Sequence, residues 1–386
     1  MKYILITLLF ISISACSITP TKNPPSPSIV VYKLNTDAIV GTTHAGQKIK
    51  IGGFSSLQFV KSENSKLHFF SITDRGPNAH LFNELAGVGI NARPFLLPEY
   101  SPLLLSISTS SDKKTFIVDS QSHFKLDAKN SMTGLPHKNF NVDETELAID
   151  IYGKALKFDN NGIDSEGFCT IGKNYLVSEE YGPDLFMFNS KKQLIKKWTP
   201  GVGLPAVYAK RLVNRGLEGL ACSNKYAYLM LQSPLKSDLA EDKNYIRIAK
   251  FDPKKGKTIK EYFYPVNSIE ADKVGDIALI NETKILVIEQ NGKLGSKEGV
   301  RKIYRIDLSK ANSNGQLQKE LVVDLNALGF DYVEKIEGIA VIDSRTIAII
   351  TDNDFALNGQ VDLKTGLIDF GEKPNYLAVI HLVKDL

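Results

Sequence analysis

Several kinds of catalytic site leave no trace in this sequence. Its 386 residues contain six histidines and three cysteines, and no two of them have the spacing of paired zinc ligands. No Gly-x-Ser-x-Gly segment is present, so the usual serine-esterase elbow is not visible. The Arg-His-Gly segment of histidine phosphatases and the cysteine-to-arginine spacing of cysteine phosphatases are missing too. Zinc-dependent mechanisms and mechanisms with a side-chain nucleophile are therefore disfavoured.

A large net charge is also missing. Lys and Arg number 47, Asp and Glu number 43, and the formal net charge is +4. A nearly balanced chain does not point to a polyanion, so we expect no nucleic-acid partner. With 43% hydrophobic and 23% charged residues, the composition is that of a globular protein with a large core.

The clearest long apolar run lies at the start of the chain. It extends from Ile4 to Ile13 after Met1-Lys2, which is too short to span a bilayer and is typical of a signal peptide over residues 1–15. The sequence Ile13-Ser14-Ala15-Cys16 resembles a bacterial lipobox, which predicts a lipid on Cys16 and a place in the cell envelope. Ser17 after this cysteine favours the outer membrane. The alternative is an ordinary secretory signal with a chance cysteine.

The segment after Cys16 and the two remaining cysteines complete this picture. Residues 16–28 are rich in Ser, Thr and Pro and are predicted to form an extended tether. Export to an oxidising compartment permits a disulfide between Cys169 and Cys222. Cys169 lies two residues after a glycine and Cys222 lies three after one, so in strands the two side chains could also face opposite ways. Two buried free thiols therefore stay open as the alternative.

Patterns for long helices are scarce as well, whereas short β-branched and aromatic stretches abound. Examples are His68 to Ile72, Ile246 to Phe251 and Thr346 to Ile350, and they are separated by Gly, Asn, Asp and Lys turns. The sequence therefore predicts an all-β protein.

A short phrase recurs along the chain and indicates repeats. It reads Glu166-Gly167-Phe168, Glu218-Gly219-Leu220 and Glu337-Gly338-Ile339, with echoes at Gly275-Asp276-Ile277 and Gly52-Gly53-Phe54. The glycines at 167, 219, 275 and 338 are 52, 56 and 63 residues apart. A period slightly above that of a four-stranded blade favours a single β-propeller over residues 29–386, with about six blades of four-stranded antiparallel sheet.

Two details of this propeller follow from the spacing. The gap from Gly53 to Gly167 is twice the period, which predicts one blade there without the phrase. A propeller must also close its ring, commonly by pairing strands from both ends of the chain. Ile29 to Tyr32 and Leu377 to Leu382 are suitable partners.

Longer stretches resemble one known family, the phytase-like β-propellers labelled "esterase-like activity of phytase". The stretches that carry the resemblance are Ser71-Ile72-Thr73-Asp74-Arg75-Gly76-Pro77-Asn78, Phe95-Leu96-Leu97-Pro98, Asp164-Ser165-Glu166-Gly167, Ser178-Glu179-Glu180-Tyr181-Gly182-Pro183, Asn214-Arg215-Gly216-Leu217-Glu218-Gly219-Leu220-Ala221, Leu231-Gln232-Ser233-Pro234-Leu235, Glu334-Lys335-Ile336-Glu337-Gly338 and Asp352-Asn353-Asp354-Phe355. They follow the family's order over nearly the whole mature chain. The resemblance implies a hydrolase acting on phosphoesters or esters.

Acidic residues recur at corresponding places in the repeats, beside glycines that permit close backbone approach. A ring of such units would gather them around one axis, where a hard cation such as Ca²⁺ would relieve their mutual repulsion. We predict catalytic roles for Asp74, Arg75, Glu166, Glu180, Arg215, Glu218 and Glu337, with the arginines binding phosphate, and metal-ligand roles for Asp164, Asp276, Glu289, Asp352 and Asp354.

Three alternatives stay open at this point. The acids could hydrogen-bond backbone amides of neighbouring blades, with Arg75 and Arg215 as internal ion-pair partners. The protein, which we expect to be a monomer, could instead be a non-catalytic propeller that binds a glycan, a peptide or an envelope partner, in which case aromatic side chains would matter more than the acids. The aromatic candidates are Tyr181, Tyr208, Tyr332 and Phe355. A carboxylester hydrolase is the third possibility, with Ser165, Ser178 and Ser233 as its hydroxyl candidates.

Overall fold

The computed structural model describes residues 26–80, 82, 91–138, 147–241, 243–267 and 270–386. The predicted signal peptide at residues 1–15 and the predicted lipidation site Cys16 lie outside the described residues. Within the described ranges, no helix is both long and apolar enough to cross a membrane. The helices found there are short: α1 (Lys236–Ala240) and 3-10 turns at Ala206–Lys210, Leu308–Lys310, Asn326–Leu328 and Asp354–Ala356.

Strands make up the rest of the regular structure. In the first half of the chain they are β1 (Ser28–Leu34), β2 (Ile39–Thr42), β3 (Lys48–Lys50), β4 (Gln58–Glu63), β5 (Lys66–Ile72), β6 (Ala92–Pro94), β7 (Leu103–Thr109), β8 (Thr115–His123), β9 (Leu147–Ile149), β10 (Ser165–Ile171), β11 (Asn174–Glu179), β12 (Leu185–Phe188), β13 (Leu194–Pro200) and β14 (Gly203–Leu204). In the second half they are β15 (Leu217–Cys222), β16 (Ala227–Leu231), β17 (Tyr245–Asp252), β18 (Lys257–Pro265), β19 (Lys273–Leu279), β20 (Lys284–Gln290), β21 (Arg301–Asp307), β22 (Lys319–Asp324), β23 (Lys335–Asp343), β24 (Thr346–Asp352), β25 (Leu357–Asp362), β26 (Leu367–Phe370) and β27 (Tyr376–His381).

The described strands form five four-stranded antiparallel units arranged around one axis. Unit 1 is β4-β5-β7-β8, unit 2 is β10 to β13, unit 3 is β15 to β18, unit 4 is β19 to β22, and unit 5 is β23-β24-β27-β1. The first strand of each unit lies innermost. Neighbouring first strands contact each other from unit 2 through units 3, 4 and 5 to unit 1, and β10 of unit 2 contacts β5 of unit 1. The architecture is therefore a β-propeller, which confirms the predicted all-β propeller class.

The ring is closed by strands from both ends of the chain, as predicted. In unit 5, β1 pairs with β27 in antiparallel register, with Ile29 opposite Ile380 and Tyr32 opposite Leu377. The outer strands β1 and β8 also share a short parallel pairing that joins units 5 and 1 into one sheet. Unit 5 is therefore built from both ends of the chain, and its strand β1 also connects it to unit 1.

The number of units differs from the expected six or so because the Gly53 to Gly167 gap holds no additional blade in its described part. Unit 2 follows unit 1 directly: Ser165 Oγ donates to Thr73 O at 2.6 Å, and Phe168 N donates to Ser56 Oγ at 3.2 Å. The gap is filled by a long connection, residues 124–164, and by the small parallel pair β6 and β9. Connections of this length raise the mean spacing without adding strands.

The five units all point the same way, so the ring has two distinct faces. On the first, which we call the cavity face, each first strand begins and each second strand ends. On the opposite face, which we call the distal face, connections join first to second strands in all five units and third to fourth strands in units 1 to 4, and in unit 5 the end of β27 and the start of β1 lie there. The insertions β2-β3, β6, β9 and β25-β26 all lie in connections on the cavity face.

Glycines of the repeated phrase lie where neighbouring first strands come closest. A Cβ atom added at Gly275 in unit 4 would lie 2.0 Å from Ile336 O in unit 5, and one at Gly338 would lie 2.6 Å from Ser56 C in unit 1. Real Cβ atoms do not approach backbone this closely, so only glycine fits between the strands. The recurrent glycine is therefore a packing requirement of the crowded axis.

The apolar core lies between the faces of neighbouring units. Leu286 and Ile288 of unit 4, for example, share a fully buried cluster with Ile336, Ile347 and Ile349 of unit 5. Burying one such aliphatic side chain stabilises the fold by roughly 1.5–3 kcal/mol. Because each unit presents apolar side chains to both neighbours, the units stabilise each other around the ring.

A disulfide joins two of the first strands. Cys169 in β10 and Cys222 in β15 are bonded, with their Cα atoms 5.7 Å apart and a sequence separation of 53. The different offsets of the two cysteines from their glycines do not prevent pairing, because the partners lie on different strands. The bond therefore links unit 2 to unit 3, and the free-thiol alternative does not describe this structure.

Candidate functional site

A polar cavity of about 470 Å³ opens at the axis on the cavity face. Its described lining contains more acids than bases. The acids are Asp74, Asp164, Glu166, Glu180, Glu218, Glu337, Asp352 and Asp354, and the bases are Arg75, Arg93, Arg215, Lys273 and Lys335. Ten of the twelve residues for which the sequence predicts catalytic or metal-ligand roles therefore line one cavity.

A β-bulge turns the glutamate of the repeated phrase toward this cavity in three units. In unit 2, Ser165 pairs with Glu179 and Gly167 pairs with Ser178, so Glu166 is left over as the extra residue. Glu218 and Glu337 are the extra residues at the same place in units 3 and 5. An extra residue leaves the ladder and re-aims its side chain. The bulge thus explains why glutamate precedes the glycine in each phrase.

The second strands supply another tier of polar groups. Where these strands end on the cavity face, the lining includes Asp74, Glu180, Gln232 and Asp352. Gln232 bridges two predicted site residues, since its Nε2 donates to Glu218 Oε2 at 2.7 Å and its Oε1 accepts from Arg215 at 2.7 Å. The amide therefore holds a carboxylate and a guanidinium in fixed positions.

One side of the cavity carries a tight cluster of three carboxylates. Oxygen atoms of Asp164, Glu166 and Glu180 all lie within 4.8 Å of one another. Arg75 flanks them, with its guanidinium 3.2 Å from Asp164 Oδ2. Glu180 is 2% exposed, and its Oε1 has no hydrogen-bond partner among the described residues. Such a set of converging oxygens can hold a hard cation.

The opposite side of the cavity carries paired charges. The Lys335 ammonium lies 3.4 Å from Asp352 Oδ2 and 2.5 Å from Asp354 Oδ1, and the Lys273 ammonium lies 3.8 Å from Glu337 Oε1. These lysines and Arg93 were not among the predicted site residues. The signal for Lys335 was present in the sequence, because it lies two residues before Glu337 in a family stretch.

The backbone near Asp354 is in an unusual conformation. Asp354, Phe355 and Ala356 have φ values of 49°, 55° and 58°, all in the left-handed region. Each non-glycine residue there costs roughly 1–2 kcal/mol, so the surrounding structure must hold the turn in place. Phe355 does so by packing edge-on against Tyr100, with ring centroids 5.8 Å apart. The turn brings the Asp354 carboxylate to Lys335.

Crowding of buried carboxylates changes their acidity. Burial, followed by repulsion from Asp352, raises the pKa of Asp74 well above its ordinary value. Burial, followed by repulsion from Glu218, likewise raises the pKa of Glu166 well above its ordinary value. Burial, followed by repulsion from Glu337, does the same to the pKa of Glu218. Without a bound cation, burial and mutual repulsion therefore oppose ionisation of these acids.

Raising the pH is expected to destabilise the protein when no cation is added. Burial, followed by repulsion from Asp164, raises the pKa of Glu180 to about 7. Burial, followed by repulsion from Asp354, raises the pKa of Asp352 to about 8. The folded state thus holds protons that the unfolded state has released, so their stabilising contribution is complete below about pH 4 and is lost as the pH rises through about 7 to 8.

The measurement is the melting temperature of the chelator-treated protein between about pH 5 and about pH 8, where we expect a decrease. Added calcium should raise the melting temperature more at the upper end of this range than at the lower end, because the ion competes with protons for the same oxygens. A melting temperature that does not change with pH would contradict this electrostatic picture.

Two predicted metal ligands lie outside the cavity. Asp276 accepts hydrogen bonds from Ile277 N at 2.7 Å and from Ile339 N at 3.2 Å, so it fastens unit 4 to unit 5. Glu289 accepts from Tyr264 Oη at 2.5 Å and forms an ion pair with Lys319, between units 3 and 4. For these two acids the structure favours the alternative of a structural role.

A second acidic cluster lies close by but is compensated by bases. The His137 Nε2 atom lies 3.5 Å from Glu179 Oε1, and the Lys197 ammonium lies 2.7 Å from Asp184 Oδ2. Glu179 also accepts hydrogen bonds from the backbone amides of Tyr181, Gly182 and Asp184. These contacts give the cluster a role in holding the 180–184 loop, which carries Glu180.

Comparisons with solved structures return distant matches. The WD40 domain of Pan2 from Neurospora crassa is 8% identical, with coverage of 87% of this chain and 90% of that one and a TM-score of 0.35. The PQQ-bound aldose sugar dehydrogenase from Streptomyces coelicolor is 10% identical, with coverage of 93% and 99% and a TM-score of 0.36. Scores this low carry no functional argument. Among curated proteins, none matches the sequence.

The family comparison is more informative. A family model described as "Phytase-like: Esterase-like activity of phytase" matches residues 49–355, which is well over half of the chain. The matched range includes every described residue of the cavity lining except Leu357. It also contains the three bulged glutamates and the arginines beside them. The chain is a member of this phytase-like family.

Proposed function

We propose that this protein is a calcium-dependent hydrolase of phosphoesters, with the axial cavity as its active site. The observation that supports this most is the cluster of Asp164, Glu166 and Glu180 beside the guanidinium of Arg75. Carboxylates are ligands for a hard cation, and an adjacent arginine is a suitable donor to phosphate oxygens. One cavity thus combines groups for a cation with groups for an anion.

The donor set fits calcium better than zinc. All three clustered side chains offer oxygen, and no sulfur or imidazole is among them. Two buried oxygens, Glu180 Oε1 and Glu337 Oε2, have no partner among the described residues and are available to an added ion or its waters. When bound, the ion would supply positive charge that stabilises charge developing on a phosphoryl oxygen.

The remaining roles belong to the residues of the chain. Arg75 and Arg215 would bind and orient the phosphate oxygens, with Lys273 and Lys335 adding positive charge on the other side of the cavity. Arg75 is held by Asp164 and by Asn214 Oδ1 at 3.1 Å, so its direction is fixed before substrate enters. Glu180, with a pKa raised to about 7, is suited to accept a proton from the attacking water.

The contacts of the alternative candidates disfavour the other two functions. Ser165 donates its hydroxyl to Thr73 O at 2.6 Å, and neither Ser178 nor Ser233 is among the described cavity residues. None of these three serines therefore offers a free nucleophile to the cavity. For the binding propeller, Tyr181, Tyr208 and Phe355 are buried and cannot form a binding surface, whereas Tyr332 is 49% exposed and is the one aromatic candidate that could contribute to such a surface.

Anchoring in the cell envelope is part of the same proposal. It is supported by the lipobox-like segment ending at Cys16 and by the disulfide between units 2 and 3, which is a feature of proteins in oxidising compartments. We propose a lipid on Cys16 and an outer-membrane location, with the propeller acting as a monomer.

The test is hydrolysis by the chain from residue 17 onward, which contains every described residue and carries no lipid. A panel of phosphomonoesters and simple esters should show release of phosphate that EDTA abolishes and calcium restores. Elemental analysis of protein purified without chelator should find stoichiometric calcium. The absence of turnover on every panel member, with and without calcium, would count against the proposal.

A further inference from the structure

The distal face, opposite the cavity, is strongly basic. Its turns, at residues 64–65, 110–114, 172–173, 189–193, 223–226, 253–256, 280–283, 308–318 and 344–345, together with residues 382–386 after the last strand, contain eleven basic and three acidic side chains. The basic residues are Lys113, Lys114, Lys173, Lys191, Lys192, Lys225, Lys254, Lys255, Lys310, Arg345 and Lys384, and the acids are Asp112, Glu282 and Asp385. The whole chain has a net charge of only +4, so positive charge is concentrated here.

These side chains are free to interact with something outside the protein. All eleven basic residues are exposed except Lys192, which is half-buried. Arg345 pairs with Asp385 at 2.5 Å, but the ten lysines have no ion-pair partner among the described residues. They belong to turns of all five units and therefore form a broad array rather than a single patch.

The chain also enters the propeller at this face. Strand β1 begins at Ser28 opposite His381, beside the turn that contains Arg345. Whatever precedes residue 28 therefore joins the propeller on the distal face. The segment from Cys16 to Ser28 spans at most roughly 40 Å when fully extended. A lipid at Cys16 would keep the distal face within that distance of the membrane.

We propose that the distal face lies against a surface of anionic lipid headgroups, so that the cavity opens away from the membrane. Basic residues near such a surface are attracted to it, and the attraction extends over about one Debye length. The proposal does not depend on the chemistry proposed for the cavity. It also does not require the lipid at Cys16, which would add a second, covalent contribution in the same orientation.

The shape of the array favours a lipid surface over a discrete anion or a nucleic acid. The depression at the distal end of the axis is lined by apolar residues such as Leu57, Phe168 and Ile277, and it offers no basic groups to a bound phosphate. Ten of the eleven basic residues are lysines, which act as point charges rather than as bidentate forks. Diffuse charge spread over the ends of several units suits a plane of headgroups.

Vesicle binding by the chain from residue 17 onward tests this proposal. We expect co-sedimentation with phosphatidylcholine vesicles that contain about 30 mol% phosphatidylglycerol, no binding to pure phosphatidylcholine, and loss of binding as salt rises from about 0.1 M to about 0.5 M. The variant K173Q/K191Q/K254Q/K255Q, which changes only exposed turn residues, should bind at least about tenfold more weakly.

The matched control is K48Q/K154Q/K157Q/K236Q, which removes the same charge from exposed lysines in connections of the cavity face. It should bind within about twofold of the unchanged chain. Equal weakening by both variants would mean that only net charge matters and would overturn the proposal. So would binding to neutral vesicles, or displacement by inorganic phosphate at constant ionic strength, which would indicate a discrete phosphate site instead.

Discussion

Replacing Glu166 by glutamine is expected to lower calcium-dependent hydrolysis about a hundredfold or more while leaving the calcium-free protein at least as stable as before. The activity falls because one of the three clustered carboxylates is replaced by a neutral amide. The stability is kept or raised because burial and repulsion from Glu218 already oppose ionisation of Glu166 in the folded state. Substitution of a residue that serves function at a cost to stability lowers the activity and keeps or raises the stability.

The two readouts separate a functional from a structural role. Turnover is measured with saturating calcium, and stability is measured by urea denaturation at about pH 8 with chelator. Glu282→Gln, an exposed acid on the distal face, is the matched control and should change neither quantity. A loss of stability with activity retained would assign Glu166 to the scaffold and remove the main support for the proposed cation site.

Gly275→Ala is expected to be strongly destabilising, with a loss of about 4 kcal/mol or more in the free energy of unfolding. The added Cβ would lie 2.0 Å from Ile336 O and 2.7 Å from Gln290 Nε2. Gln290 bonds to both the amide and the carbonyl of Ile336, at 2.8 Å and 3.0 Å. The methyl group would therefore separate units 4 and 5 and break their polar link.

Gly292→Ala is the control for this substitution. Gly292 has nothing within 4 Å of an added Cβ and no positive φ, so we expect a change of less than about 1 kcal/mol. Both variants are compared by the midpoint of denaturant unfolding. A midpoint for Gly275→Ala close to that of the control would contradict the claim that glycine is required at the crowded axis.

The repeats carried most of what the sequence could predict. Short β-branched stretches between turn residues indicate strands, and the glutamate-glycine phrase marks the first strand of units 2, 3 and 5, so the propeller class, the pairing of β1 with β27 and ten cavity residues were all accessible. The count of units was not, because the 124–164 connection has the length of a blade but its described part contains only the short strand β9. Spacing alone cannot distinguish the two.

Asp276 and Glu289, the two predicted ligands outside the cavity, differ from the cavity acids in their positions on the strands. Asp276 follows its glycine, whereas Glu166, Glu218 and Glu337 precede theirs. This change of order accompanies a different bulge, which lies between the paired residues Val274 and Ile277. The carboxylate then reaches backbone amides instead of the cavity. Glu289 comes one residue before the strand end that Gln290 occupies, and in a strand one residue reverses the direction of a side chain. Arg93 comes from a connection, where no period applies.

The bulge at each first strand separates chemistry from architecture within one short phrase. The glycine packs against the backbone of the neighbouring unit, so no larger residue fits there. The side chain before it points into the cavity and is not part of this packing. A propeller of this kind could therefore acquire new specificity by changing one acid in one unit while its ring of strands stays the same. A residue larger than glycine at the next position would instead prevent the units from packing, whatever its chemistry.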